Sequence, residues 1–161
     1  MITPTTPAEL ATPAALVDEF LRIIMIPDPE AAKRFTAPNL RIRFTGGRKM
    51  SQPADCTAFN ASRYKWVKKR IERTETVVTT AVTAAGTALE ADETVVYSIG
   101  TLYGQWPDGT SFEGNRYVDR YVVRGGLITE MDVWNDSAEW LLTRAGLVAA
   151  GTTLDASLMP T

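Results

Sequence analysis

The chain has no histidine and only one cysteine, Cys56, among its 161 residues. Without imidazole there is no His-based triad, no His general acid or base, and almost no route to a catalytic zinc site. One thiol closes no intramolecular disulfide and builds no Cys-based metal site. Lacking a His partner, it reads as a small helix residue rather than a nucleophile. A lone thiol fits a reducing cytoplasm. A surplus of positive charge is missing too: 17 basic residues stand against 19 acidic ones, for a net charge of −2. That excludes the clustered basic excess of a nucleic-acid binder. No apolar run approaches ~18 residues, so no segment reads as a membrane span. The opening Met1-Ile-Thr-Pro-Thr-Thr-Pro7 has neither the charged start nor the apolar stretch of a signal peptide. No residue set calls for a metal or cofactor, and none is expected.

What remains is 45% hydrophobic and 22% charged, ordinary values for a globular protein with one core. Residues 1–9 read as a disordered lead-in, 10–146 as a single domain and 147–161 as a tail. Thr12-Pro13 opens a helix, with Leu16, Val17, Phe20, Leu21, Ile23 and Ile24 at helical spacing until Pro27. A second short helix starts at Asp28-Pro29 and runs to about Phe35. Leu40–Phe44 alternates as a strand that Gly46-Gly47 ends. Residues 54–69 read as a third helix, burying Phe59, Trp66 and Val67, and the basic run Lys65–Arg70 as its solvated end. From Ile71 the texture turns β-branched. Ile71–Thr83, Thr94–Trp106, Thr110–Arg124 and Leu127–Trp134 read as strands, with Ala84–Asp92 as a long connection. Asp136 or Ser137 caps a last helix, Ala138–Arg144, that Gly146 ends. Helices first and an antiparallel meander afterwards predict an α+β fold, with helices on one face of a curved sheet.

The strand Asn115–Val123 alternates strictly. Tyr117, Asp119, Tyr121 and Val123 share one face; Val118, Arg120, Val122 and Arg124 share the other. A single carboxylate thus sits in an aromatic row. In a cavity that carboxylate is a candidate proton donor or base; facing solvent it is only a surface charge. A three-residue turn at Pro107-Asp-Gly109 pairs Trp106 with Thr110, which sets Tyr97 opposite Asp119 and Ile99 opposite Tyr117. A two-residue Gly125-Gly126 loop would oppose Asp119 to Asp132, an unfavourable like-charge pair. A three-residue loop instead opposes Asp119 to Met131 and Arg120 to Glu130, and is preferred. The expected cavity row is Tyr97, Ile99, Thr101 and Tyr103, then Asn115, Tyr117, Asp119 and Tyr121, then Met131, Val133 and Asn135. The other face suits water or a sheet-to-sheet dimer contact.

Three stretches resemble the nuclear transport factor 2-like superfamily, and within it the SnoaL-like and phenazine-biosynthesis A/B-like small proteins. They are Lys33–Leu40, Arg116–Trp134 and Asn135–Leu142, in the expected order over roughly residues 10–146. The resemblance implies a cone-shaped, cystatin-like α+β barrel: a curved antiparallel or mixed sheet whose concave face is covered by three N-terminal helices. It also implies a pocket between sheet and helices, and a homodimer through the outer sheet face. Ketosteroid isomerases of this fold use a protonated Asp and a Tyr as an oxyanion hole and a second Asp as the base. Asp119 falls at the oxyanion position. Phe20 falls where the Tyr is expected, Phe44 near the base, and no acid lies between Asn39 and Met50. Val133 replaces an acid that limonene-epoxide-hydrolase-like members need, and the histidines of scytalone-dehydratase-like members are absent.

The expectation is therefore a cytoplasmic pocket protein for a small apolar molecule, with no nucleic-acid or membrane partner. In the first reading it is a cofactor-independent isomerase or cyclase acting on an apolar cyclic carbonyl compound. Asp119 and Tyr97 are then catalytic, and Tyr117, Tyr121, Tyr103, Ile99, Met131, Val133, Asn135, Phe20 and Trp66 bind substrate. The alternatives are a non-catalytic binding module and a dimeric scaffold. For Asp119 itself, a structural carboxylate satisfied by a Tyr or an Arg stands beside the catalytic reading.

Overall fold

The structure is a computed structural model that describes residues 6–82 and 88–147. Thr12 caps the first helix, α1 (Pro13–Ile24), by accepting the Ala15 N–H at 3.1 Å. Its buried stripe is Leu16, Val17, Phe20, Leu21 and Ile23. Asp28 caps α2 (Pro29–Lys33) in the same way through the Ala31 N–H at 2.9 Å. The third helix, α3 (Pro53–Arg63), begins where Asp55 reaches back to the Ser51 and Gln52 amides. A fourth, α4 (Ser137–Arg144), follows the last strand. Of the expected lead-in, Pro7–Glu9 forms one 3-10 turn; residues 1–5 and the expected tail from 148 lie outside the described residues. None of the described helices is long and apolar enough to cross a membrane.

Six strands form one mixed, curved and open sheet: β1 (Thr36–Phe44), β2 (Arg48–Met50), β3 (Trp66–Val82), β4 (Ala88–Gln105), β5 (Ser111–Arg124) and β6 (Leu127–Asn135). Their spatial order is β2-β1-β6-β5-β4-β3, with β1 parallel to β6 and every other pair antiparallel. The expected connection Ala84–Asp92 is shorter than read, because β4 already begins at Ala88; residues 83–87 lie outside the described residues. The α+β class is as expected, and α1 to α3 lie over the concave face. Phe20, Leu21 and Phe35 pack there against Ile42, Tyr121, Ile128 and Val133. A second apolar cluster joins Tyr64, Trp106, Phe112 and Tyr117.

The third helix ends at Arg63, earlier than expected. Tyr64 is already extended (φ −129°, ψ 146°), and Trp66 to Arg70 belong to an edge strand. The basic run was expected to be the solvated end of a helix. It is instead a β-ladder partner of β4, with Lys69 opposite Leu102 and Val67 opposite Gly104. Nothing after Arg63 repeats at helical spacing, and pairing with a long neighbour decides the conformation.

Two bulges correct the expected registers. The turn after Trp106 is as read: the Trp106 N–H donates to Thr110 O and the Gly109 N–H to Trp106 O, both at 2.9 Å. Gly114 (φ 89°) then inserts one extra residue, so Tyr103 pairs with Glu113 but Leu102 with Asn115. Ser98, not Tyr97, lies opposite Asp119, and Gly100, not Ile99, opposite Tyr117. The second hairpin uses the two-residue Gly125-Gly126 loop, not the expected three-residue one. A bulge near Thr129 removes the like-charge conflict: Asp119 lies opposite Val133 and Arg120 opposite Asp132. The β5 and β6 faces therefore segregate as expected, though each pair is shifted by two residues.

Candidate functional site

A cavity of about 530 Å³ lies between the concave sheet and α1 and α3. That is the size of a small-molecule site. Leu21 and Met25 line it from α1, Cys56 and Tyr64 from the α3 segment, and Leu102, Met131 and Val133 from the sheet. Its polar residues are Lys68, Lys69, Asp119 and Asn135 from the sheet, Thr57, Asn60 and Tyr64 from the α3 side, and Lys65 between them.

Asp119 is fully buried. Its Oδ2 accepts from the Lys69 ammonium and, at 2.9 Å, from the Tyr121 hydroxyl. Its Oδ1 has no hydrogen-bond partner among the described residues. Lys69 also stands 3.9 Å above the Tyr117 ring centroid, a cation–π contact. The Tyr117 hydroxyl in turn bonds Ser98 at 3.0 Å. This crossing from β3 over β4 depends on small residues. Gly100 leaves the β4 surface bare opposite Tyr117, and a Cβ there would sit 2.1 Å from Arg70 O. Gly104 is as tight, 2.2 Å from Trp66 O. The two glycines let β3 fold closely onto β4, so that Lys69 overhangs the row.

Burial governs the acidities around the pair. Tyr121 is pushed well above the usual phenol value, by burial first and the adjacent Asp119 second, so it remains a donor. Tyr117 is raised to about 12, again by burial, with the Ser98 bond opposing. Cys56 is raised to about 12 by burial and stays a thiol.

Of the residues expected at the site, Asp119, Met131, Val133, Asn135 and Trp66 line the cavity, Trp66 from the edge strand rather than a helix. Tyr117 and Tyr121 support Asp119 from the same face without lining it. Phe20 lies in the core, edge-on to Tyr121 at 6.0 Å. Tyr97, Ile99 and Tyr103 are displaced to the outer face by the Gly114 bulge, so Tyr97 supplies no hydroxyl to Asp119. Sequence reasoning missed Lys69, because the basic run had been assigned to a helix. Gly114 inside an otherwise clean alternation was the available warning of a bulge.

No protein-family model matches the chain, and no curated protein matches it. Solved structures do. An NTF2-like protein of unknown function from Burkholderia pseudomallei superposes with a TM-score of 0.59 at 14% identity, over 84% of this chain and 95% of its own. The chain has the nuclear transport factor 2-like fold. Further members of that fold are similar at the same level. A candidate polyketide cyclase from Pseudomonas putida gives a TM-score of 0.54 at 13% identity, over 84% of this chain and 96% of its own. TerC, crystallised with polyporic acid, gives 0.57 at 14% identity, over 78% and 92%. Within this nuclear transport factor 2-like fold, Asp119 carries a lysine partner that the resemblance did not imply. Phe44 also lines the cavity, and among the described lining residues Asp119 is the one acid.

Proposed function

We propose that the protein is a cofactor-independent isomerase or cyclase of an apolar cyclic carbonyl compound, with Asp119 as base and Lys69 as the cation at the carbonyl oxygen. One observation carries this reading: Asp119 borders the cavity with one oxygen held by Lys69 and Tyr121 and the other without a partner among the described residues. A structural carboxylate would have both oxygens satisfied. Asp119 Oδ1 takes a proton from the carbon next to the substrate carbonyl, breaking that C–H bond. The electron pair moves to the carbonyl oxygen, where a Lys69 N–H stabilises the enolate. Returning the proton to a different carbon gives an isomer. Attack of the enolate carbon on a second carbonyl of the same molecule closes a ring, and the alkoxide so formed takes back the proton held by Asp119. The apolar walls exclude water and strengthen both contacts. The names of the cyclase and of TerC with its polyporic acid agree with such a substrate.

The test needs no known substrate. A simple cyclic ketone in deuterated buffer exchanges its α-hydrogens through the enolate, which mass spectrometry follows. The protein is expected to accelerate exchange, and Asp119→Asn to remove the acceleration by on the order of 10²-fold or more. No acceleration over buffer, or an equally active Asp119→Asn, ends the catalytic reading. A ketone that binds without exchange supports the alternative, a binding module. A homodimer through the outer face is proposed with it, because Val118 and Trp134 oppose each other there at 38% and 51% exposure. The unpaired thiol is the ground for a cytoplasmic setting.

A further inference from the structure

The cavity holds a second polar group whose donors have no acceptor. The Ser137 N–H donates to Asn135 Oδ1 at 3.1 Å, which fixes the orientation of that amide. Asn135 Nδ2 is then left with two hydrogens and no partner among the described residues, on a residue that lines the cavity. Beside it, Asn115 Nδ2 donates to Ser137 Oγ at 2.8 Å, and Ser137 Oγ bonds the Tyr64 hydroxyl. Either oxygen can be the donor in that last bond, since a serine oxygen accepts two hydrogen bonds. Tyr64 also lines the cavity. Asn115 and Ser137 are fully buried and Tyr64 nearly so, and the Tyr64 ring stacks on Trp106 at 5.3 Å, so this group is held in place. The Asn135 amide donors, with the Tyr64 hydroxyl joined to them through Ser137, therefore mark this end of the cavity, and the lining there holds no carboxylate.

Their distance from the reacting end follows from the register. Asp119 lies opposite Val133, and Asn135 is two residues further along the same face of β6. Such diagonal neighbours are about 7–8 Å apart, roughly the width of a fused ring pair. The wall between them is apolar, with Val133 and Leu102. We propose that Asn135 and Tyr64 form a second anchor that selects ligands with a hydrogen-bond acceptor, a carbonyl, ether or carboxylate oxygen, across a ring system from the carbonyl held at Lys69. The inference deepens the proposed function and rests on its assignment of the carbonyl to Lys69. Asn135 and Tyr64 are specificity residues here: they touch the far end of the ligand and take no part in moving the proton.

The experiment is isothermal titration of the full chain with two probes, α-tetralone and its analogue carrying a methoxy group para to the carbonyl. The analogue adds one acceptor at the far end. Wild type is expected to bind it about fivefold more tightly, the worth of one hydrogen bond. Asn135→Leu should reduce that preference to parity, and Tyr64→Phe should reduce it about twofold. Affinity for α-tetralone is measured in each variant as the reference against which the preference is read. An unaltered preference in both variants, or none in wild type while α-tetralone binds, overturns the second anchor and leaves the Lys69 end intact. Lys69→Met separates the two ideas: undiminished α-tetralone binding there overturns the carbonyl assignment, and with it the orientation assumed here. Asn135→Asp keeps the oxygen that accepts the Ser137 N–H and removes both amide donors, so it decides the matter even if Asn135→Leu fails to fold. Binding of neither ketone by wild type overturns both readings.

Discussion

Two carboxylates in the β5–β6 hairpin region, Asp119 and Asp132, are both buried and both paired with cations, yet they sit on opposite faces of the sheet. Asp132 is saturated. Arg43 binds its two oxygens at 2.6 and 3.1 Å, and Arg120 adds a bond at 3.1 Å. These contacts, the Arg43 bonds first, hold its carboxyl below the usual range. Arg41 and Glu130 extend the cluster. Asp119 lines a cavity and has one oxygen engaged, while the other has no partner among the described residues. A satisfied carboxylate braces a sheet; a half-satisfied one retains an acceptor for something else. Burial and charge pairing alone do not tell the two apart. The count of satisfied oxygens does.

The largest expected effect comes from breaking the inner pair. Lys69→Met leaves Asp119 buried without a counter-ion and should cost about 3–5 kcal/mol at neutral pH, measured by denaturant unfolding. A loss under about 1 kcal/mol would mean that the pair is solvated in solution. Next is the backbone that brings Lys69 over the row. Gly100→Ala drives a methyl into Arg70 O and should destabilise by about 1–3 kcal/mol. It should also weaken ketone binding, since β3 must retreat. Unchanged stability and affinity would refute the close approach.

The outer pair gives a smaller effect with a defined pH dependence. The carboxyl of Asp132 is lowered in the folded state, so its contribution is present above the unfolded value of about 3.9 and is lost as pH falls through the folded value. Asp132→Asn should therefore cost roughly 2 kcal/mol at pH 7. The gap to wild type should close in acid below about pH 4. A gap that persists there would show that packing, not charge, supplies the effect. Smallest is Trp134→Ser on the exposed outer face. Monomer stability should move by no more than about 0.5 kcal/mol, while sedimentation should show the proposed dimer dissociating. An intact dimer would locate the subunit contact elsewhere.

How much of this could be read in advance differs from element to element. The first helix was readable because its cap, its proline and its apolar stripe all agree. The alternation of Asn115–Val123 assigned Asp119 to an aromatic face, and β5 keeps that alternation. The hairpin registers were not readable from turn lengths alone, because Gly114 and the Thr129 bulge each add a residue whose effect depends on the partner strand. Lys69 was hidden for a different reason. A run of four cationic residues in six, Lys65–Arg70, has no period of its own, so the choice of helix or strand passed to the neighbour it could pair with.

Local chemistry thus determined the caps of the first two helices, the turn after Trp106, the two faces of β5 and the absence of imidazole chemistry. These depend on residues a few positions apart, and the chain carries them wherever it goes. Only the tertiary structure decided that a lysine from the edge strand meets Asp119, that Tyr97 faces away from it, and that Asn135 and Tyr64 share one cavity. Those contacts join residues dozens of positions apart. A single inserted residue in a strand is enough to turn every later side chain to the other face.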